Sequence, residues 1–177
     1  MIFINLYLIY RLEHPKSQIE FVKEQYSDGS AYEGEKLGGI RHGKGKFLYG
    51  DGGLYEGEWK AGSMDGFGTL YYPDGKIAYS GGWKQDKFHG KGTIYNENPV
   101  PLQGAFDYVN FDNLGDYWIK YEGDFVDDNK DGFGVLYLSN GDRFEGHFKE
   151  DTVHGSGRYI CVNNETLFGE WWQNRLA

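Results

Sequence analysis

Tyr55-Glu56-Gly57-Glu58-Trp59-Lys60, a polar turn, Gly66-Phe67-Gly68-Thr69-Leu70-Tyr71-Tyr72, and then Pro73-Asp74-Gly75: this stretch decides the fold. Period-two alternation puts Tyr55, Gly57 and Trp59 on one face and Glu56, Glu58 and Lys60 on the other, the pattern of a half-buried antiparallel strand. The Asp-Gly step is a tight-turn signal, because Gly tolerates positive φ. A Gly about every ten residues would cost about 1 kcal/mol each in a helix interior, which disfavours helix. The unit is a β-hairpin.

The same beat runs outward in both directions. Tyr32-Glu33-Gly34 precedes Gly43-Lys44-Gly45, Tyr79-Ser80-Gly81 precedes Gly90-Lys91-Gly92, Tyr121-Glu122-Gly123 precedes Gly132-Phe133-Gly134, and Phe144-Glu145-Gly146 precedes Gly155-Ser156-Gly157. With the copy at Tyr55 this makes five, and the spacing from the first motif's Gly to the second motif is nine in all of them. Turn signals recur at Asp28-Gly29, Asp51-Gly52 and Asn140-Gly141, with Asn163-Asn164 in the same slot. Self-similarity at about 23 residues marks an array whose units bury their apolar faces only by stacking, and such arrays present long binding surfaces. The expected architecture is all-β: an elongated, single-layer, twisted antiparallel sheet of about twelve strands built from stacked hairpins, without helix in the repeats. Rings of one strand should lie over Cβ-less positions of its neighbour.

Half-copies flank the array, at Phe21–Ala31 and Leu167–Trp171, so it spans residues 20–173, with an apolar segment at 1–19 and a short end at 174–177. Between Tyr95 and Tyr121 the spacing is 18 residues longer than in the neighbouring repeat, an insertion at about 98–118. It holds Pro99-Val100-Pro101 and five rings, Phe106, Tyr108, Phe111, Tyr117 and Trp118. Too aromatic for a flexible linker, it reads as a partner-docking loop, with a lid folded back on the sheet as the alternative.

Composition narrows the function classes. Aromatics make up 18% of the 177 residues and glycines number 28, so the apolar content sits in large rings with small neighbours. A net charge of −9 disfavours nucleic acid and simple adsorption to anionic lipid. The single Cys161 forms no internal disulfide and suits a reducing compartment. The opening Met1–Tyr10 run is too short to span a bilayer and lacks a basic n-region and cleavage site, so it reads as a packed or partner-docked segment.

Tyr-Glu-Gly-x-Trp/Phe, a polar linker, Gly-x-Gly-x-x-x-Tyr and Asp-Gly together resemble the MORN (membrane occupation and recognition nexus) repeat over about residues 20–173. Departures are Ser80 and Gly82 in copy three, Phe144 in copy five, Leu167 in the last half-copy, and the insertion. The resemblance implies an elongated single-layer sheet whose aromatic, Gly-lined face receives a partner helix or another chain. It also implies settings such as ciliary axonemes with their radial-spoke heads, cytoskeletal scaffolds and junctional membranes, or appendages to lipid kinases or a lysine methyltransferase; this chain has no room for either enzyme domain.

Several local motifs compete with the array. Asp127-Asp128-Asn129-Lys130-Asp131-Gly132 fits the first half of an EF-hand loop, but Leu138 stands where the bidentate Glu belongs. Gly38–Lys44 resembles a phosphate loop, yet Gly45 replaces the Ser/Thr that would hold magnesium. His42, His89 and His154 share one repeat position, and His42 and His89 stand four strands apart, roughly 19 Å, too far to share a metal. The sequon Asn164-Glu165-Thr166 matters only in a secreted chain, and Cys161 has no catalytic partner. No nucleophile–base pair, metal cluster or cofactor motif emerges, so the chain reads as a non-enzyme with neither cofactor nor metal.

The ring stripe is the remaining candidate: Tyr32, Tyr55, Tyr79, Tyr121 and Phe144 at one repeat position, and Trp59, Trp83, Phe125, Phe148 and Trp171 at another. A single layer has no second sheet to cover them, so the expectation is a largely structural stripe with an exposed subset that binds. The chain therefore reads as a non-catalytic protein–protein interaction scaffold, a structural subunit of a larger cytoskeletal or ciliary (axonemal, radial-spoke-like) assembly in the cytoplasm. Its protein partner would be a helix or strand on the aromatic face or at the sheet ends. The alternative is a membrane-associated tether that binds phospholipid through the array.

Overall fold

The structure is a computed structural model and describes residues 18–177, so the apolar Met1–Tyr10 run lies outside the described residues. Thirteen strands follow in chain order: β1 (Ile19–Gln25), β2 (Ala31–Leu37), β3 (Ile40–Leu48), β4 (Leu54–Lys60), β5 (Ser63–Tyr71), β6 (Ile77–Lys84) and β7 (Lys87–Tyr95). After the insertion come β8 (Trp118–Val126), β9 (Asn129–Leu138), β10 (Arg143–Lys149), β11 (Thr152–Ile160), β12 (Thr166–Trp172) and β13 (Arg175–Leu176). Every strand pairs antiparallel with its sequence neighbours, giving one open, twisted sheet in chain order. Against the expected twelve strands, the extra one is β13, which completes a last hairpin beyond residue 173. Helix among the described residues is limited to a 3-10 turn, Phe111–Asn113, in the insertion.

One row of glycines sets the register. Gly34, Gly45, Gly57, Gly68, Gly81, Gly92, Gly123, Gly134, Gly146, Gly157 and Gly169 pair in succession from β2 to β12, with Val22 of β1 opposite Gly34. The ladder passes the insertion unbroken, through Gly92 and Gly123.

The two glycines of each Gly-x-Gly do different work. The first takes positive φ, 115° at Gly66 and 117° at Gly132, where the second strand of each hairpin bulges and its register shifts. In three copies a carboxylate braces that bulge: Glu35, Glu58 and Asp124 accept from the amides of Lys44, Phe67 and Phe133 at 2.7, 2.7 and 3.0 Å. The second glycine clears space for a ring. A Cβ at Gly68 or Gly134 would come within 3.0 Å of the Tyr55 or Tyr121 ring.

Turns alternate between two chemistries. Between hairpins, Asp28, Asp51, Asp74, Asn140 and Asn163 accept through Oδ1 from the amide two residues on, at 2.9–3.0 Å. Within hairpins, two-residue tips such as Gln85-Asp86, Asp127-Asp128 and Glu150-Asp151 have both φ values positive, as type I′ turns require. The second tip residue also clasps the preceding hairpin. Asp128 donates its amide to the Phe88 carbonyl at 3.0 Å and accepts the Phe88 amide on Oδ1 at 2.8 Å. Asp86 does the same with Met64, Asp151 with Lys130 and Asn174 with Val153. These clasps tie repeat to repeat through the backbone.

Candidate functional site

The ten stripe residues form one continuous zigzag of edge-on rings: Tyr32, Trp59, Tyr55, Trp83, Tyr79, Phe125, Tyr121, Phe148, Phe144, Trp171. Successive centroids lie 4.9–5.7 Å apart with interplanar angles of 78–90°. Links within a hairpin alternate with links between hairpins, each worth about 0.5–1.5 kcal/mol beyond the area buried. Tyr32, Tyr55, Tyr79 and Tyr121 lie over the glycine ladder and donate their hydroxyls to the carbonyls of Glu35, Glu58, Gly82 and Asp124. Trp59 and Trp83 donate their indoles to the Gly45 and Gly68 carbonyls. Burial pushes the phenols of Tyr55, Tyr79 and Tyr121 far above the ordinary tyrosine value and that of Tyr32 up to about 12, so all four stay neutral donors.

None of the ten rings is more than 6% exposed. The expected exposed subset is therefore corrected: with no Cβ beneath them, the rings sink onto the backbone and cover one another. What a partner could touch is the row beside them, on the second strand of each hairpin. There Phe47, Leu70 and Ile94 stand opposite Tyr32, Tyr55 and Tyr79, and Leu136 and Tyr159 stand opposite Tyr121 and Phe144. The two halves of this row differ. Leu136 and Tyr159 are 1% exposed, whereas Phe47, Leu70 and Ile94 are only partly buried.

The insertion makes much of that difference. It folds back as a lid over the last hairpins, the alternative that the sequence left open beside a partner-docking loop. Phe111 sits edge-on to Phe144 and Trp171, while Phe106 and Tyr108 stack on Tyr159. Phe106 and Phe111 are buried, and Tyr108, Tyr117 and Trp118 half-buried, with Trp118 already part of β8. Polar contacts pin the lid. Trp171 Nε1 donates to the Tyr108 carbonyl at 2.9 Å, Phe111 N to the Asn174 carbonyl at 2.8 Å, and Leu176 N to the Val109 carbonyl at 2.9 Å. Asp112 accepts from Asn174 Nδ2 and from Arg175 at 3.0 and 2.9 Å.

At the other end, the Arg41 guanidinium lies 4.3 Å from the Phe47 centroid, 5.0 Å from Tyr32, 5.1 Å from Trp59 and 5.7 Å from Tyr26. Its side-chain hydrogen bond runs to Tyr26 Oη at 3.3 Å. Sequence reasoning had passed over Arg41 as part of a spurious phosphate loop. It had also passed over the opposite face, where Phe21, Phe67, Phe133 and Phe168 are exposed among charged rows. The signal was present, since Phe67 and Phe133 are the middle residues of Gly-x-Gly.

The competing motifs resolve into turns and packing. Gly38-Gly39 is a hairpin tip between two strands, as is Asp127-Asp128, whose carboxylates diverge toward His89 and the Phe88 amide. Among the described residues no three His, Cys, Asp or Glu side chains gather as a metal site. His154 packs on Trp172, and burial raises the Cys161 thiol, keeping it protonated. Asn164 is the positive-φ residue of an exposed turn.

No curated protein matches the chain. The MORN repeat matches residues 32–54, 55–77, 79–98, 121–143 and 144–166, more than half of the sequence. Each matched copy starts on the first strand of one hairpin and takes in its second. MORN repeats are a non-catalytic module that generally mediates protein or membrane interactions. By its sequence copies and by the hairpins they build, the chain belongs to the MORN repeat family.

Proposed function

We propose that this chain is a non-catalytic scaffold that holds a partner protein against the aromatic face of its first three hairpins, as a subunit of a larger cytoskeletal or ciliary assembly. One observation carries this reading: the row closed to solvent at Leu136 and Tyr159 stays partly exposed at Phe47, Leu70 and Ile94. Apolar positions that a chain seals in one half and leaves accessible in the other are the usual mark of a docking surface. The cytoskeletal or ciliary setting rests on the resemblance noted in the sequence. The net charge of −9 works against the tether on anionic lipid.

The test is co-purification of the tagged full chain from ciliated cells, comparing wild type with Met64→Glu, a partly buried residue opposite Trp59 on the same face as that row, and Val162→Asp, which is exposed elsewhere. Partners lost with Met64→Glu and kept with Val162→Asp, at unchanged melting temperature, support the reading. Equal recovery with all three refutes it. Flotation with anionic vesicles that Met64→Glu abolishes would install the membrane tether in its place.

A further inference from the structure

In the Asx turns between hairpins, the residue two places on matches the choice between Asp and Asn. Asp28, Asp51 and Asp74 stand before Ser30, Gly53 and Lys76. Two of these carboxylates take a further bond from that residue, Asp28 from the Ser30 hydroxyl and Asp74 from the Lys76 ammonium, both at 2.6 Å. Asn140 and Asn163 stand before acids, and there the carboxamide donates: Asn140 Nδ2 to Asp142 Oδ2 at 2.7 Å, and Asn163 Nδ2 to Glu165 Oε2 at 3.2 Å. An Asp at either position would set two like charges at hydrogen-bond distance.

Of the two, only Asn140 is followed by glycine, and Asn140-Gly141 is the single Asn-Gly step of the chain. With no Cβ on the following residue, a main-chain amide can swing onto the Asn carboxamide carbon. Gly141 N loses its proton and bonds to Asn140 Cγ; the Cγ–Nδ2 bond breaks, and ammonia leaves with that proton. Water then opens the five-membered imide, giving aspartate or, by attack at the other carbonyl, isoaspartate. Nothing is oxidised or reduced. The fold restrains this reaction. Gly141 N donates to the Leu138 carbonyl at 3.1 Å, Asn140 Oδ1 accepts Asp142 N at 3.0 Å, and Nδ2 donates to Asp142 and, at 2.9 Å, to the Gly104 carbonyl of the lid. The bond to Gly104 exists only while the lid is down.

The product does not fit the same turn. Aspartate at 140 has no donor for the Gly104 carbonyl. It also faces Asp142, which is 5% exposed and accepts the Tyr159 hydroxyl at 2.6 Å and Val162 N at 2.8 Å. Tyr159 is the ring on which Phe106 and Tyr108 of the lid stack. We infer that Asn140-Gly141 is a self-modification site, where spontaneous deamidation unlatches the lid from the last hairpins and uncovers Tyr159. Closure slows the step and the step prevents closure, so the change runs one way. It stands or falls independently of the scaffold role.

The test has two arms. In the first, the purified full chain is aged at mildly alkaline pH beside a free peptide of residues 137–144, and conversion is followed by peptide mass. Asn140 should convert in the folded chain, more slowly than in the peptide, while Asn163 and Asn164, followed by residues with a Cβ, stay intact. Phe111→Ala, which loosens the lid away from the turn, should speed conversion about fivefold, the worth of one hydrogen bond. In the second arm, Asn140→Asp should raise hydrogen exchange at Leu102 about tenfold, leave the amides of β2 to β5 unchanged, and open Trp171 to acrylamide. Adding Asp142→Asn removes the like-charge pair and should restore part of the protection. An intact Asn140 in the aged chain, conversion at the peptide's rate, or equal rates in wild type and Phe111→Ala overturns the site. Wild-type protection at Leu102 in Asn140→Asp overturns the latch.

Discussion

Replacing Gly68 by Ala puts one methyl group where the Tyr55 ring lies. The added Cβ would stand within 3.0 Å of Tyr55 Oη, Cε2 and Cζ. The ring has nowhere to go: Tyr55 is fully buried, edge-on to Trp59 at 5.2 Å and to Trp83 at 5.1 Å. Lifting it off the backbone costs about 1–3 kcal/mol in overpacking. Breaking its 2.9 Å hydrogen bond to the Glu58 carbonyl adds about 1 kcal/mol. Together these give about 2–4 kcal/mol, a melting drop of about 4–16 °C for a chain of this size. Gly68→Val should cost more, and Gly134→Ala should behave alike through Tyr121. The assay is thermal and urea unfolding of a cycle with Tyr55→Leu, which removes the flat ring. Once the ring is gone the methyl has room, so Gly68→Ala should cost far less in the Tyr55→Leu background. Additivity of the two changes to within about 0.5 kcal/mol would refute the ring-over-glycine account.

Three other outcomes follow from the same geometry. Asp128→Gly keeps the positive φ of the hairpin tip but removes the acceptor for the Phe88 amide, so it should cost about 1 kcal/mol and speed hydrogen exchange at Phe88; unchanged exchange there would refute the clasp. Burial raises the phenols of Tyr55, Tyr79, Tyr121 and Tyr159 above the ordinary 10.0, so their contribution to stability is complete below pH 10 and is lost as pH rises through the folded values. Tyrosinate absorbance should therefore appear together with loss of β-sheet circular dichroism, and its gradual appearance with the sheet intact would contradict this. Phe111→Ala should cost about 3 kcal/mol and open Trp171 to acrylamide quenching, whereas a lid that merely rests on the sheet would leave Trp171 shielded.

Much of this was legible because the fold is written in a two-residue alternation and a fixed spacing of nine. Tyr55, Gly57 and Trp59 announce the strand face, and five copies announce the sheet. Asp-Gly and Asn-Gly announce the Asx turns, and Asn163-Asn164 fills that slot as read. What alternation cannot show is depth. It places Tyr55 and Leu70 on the same face, yet one is sealed and the other half-open, because sealing depends on neighbours more than twenty residues away. The clasps were missed for a related reason. Asp86, Asp128, Asp151 and Asn174 recur at one position, but their partners are backbone amides of the preceding hairpin, which carry no residue-type signal. Arg41 was obscured by a motif that matched better than its surroundings warranted.

The lid poses a sharper question, since the repeats on either side of it are built alike and it could have folded either way. Four residues at the far hairpins decide it. Ser139 Oγ donates to the Val100 carbonyl at 2.7 Å and accepts from Leu102 N at 2.9 Å, and Asn140 Nδ2 donates to the Gly104 carbonyl at 2.9 Å; Asn174 and Arg175 hold Asp112. The positions equivalent to Ser139 in the first two full hairpins are Gly50 and Pro73, which have no hydroxyl. Those equivalent to Asn140 are Asp51 and Asp74, whose carboxylates cannot donate to a carbonyl. The one Asn-Gly turn among Asp-Gly turns is thus the address to which the insertion is sent. Ser139→Ala removes a donor and an acceptor from the lid without touching the aromatic zigzag or the Asx turn. It should cost about 1–2 kcal/mol and raise hydrogen exchange at Leu102, with the amides of the first three hairpins unaffected. Unchanged protection at Leu102 would mean that ring packing alone steers the lid, and the turn chemistry would then have no part in deciding which half of the array stays open.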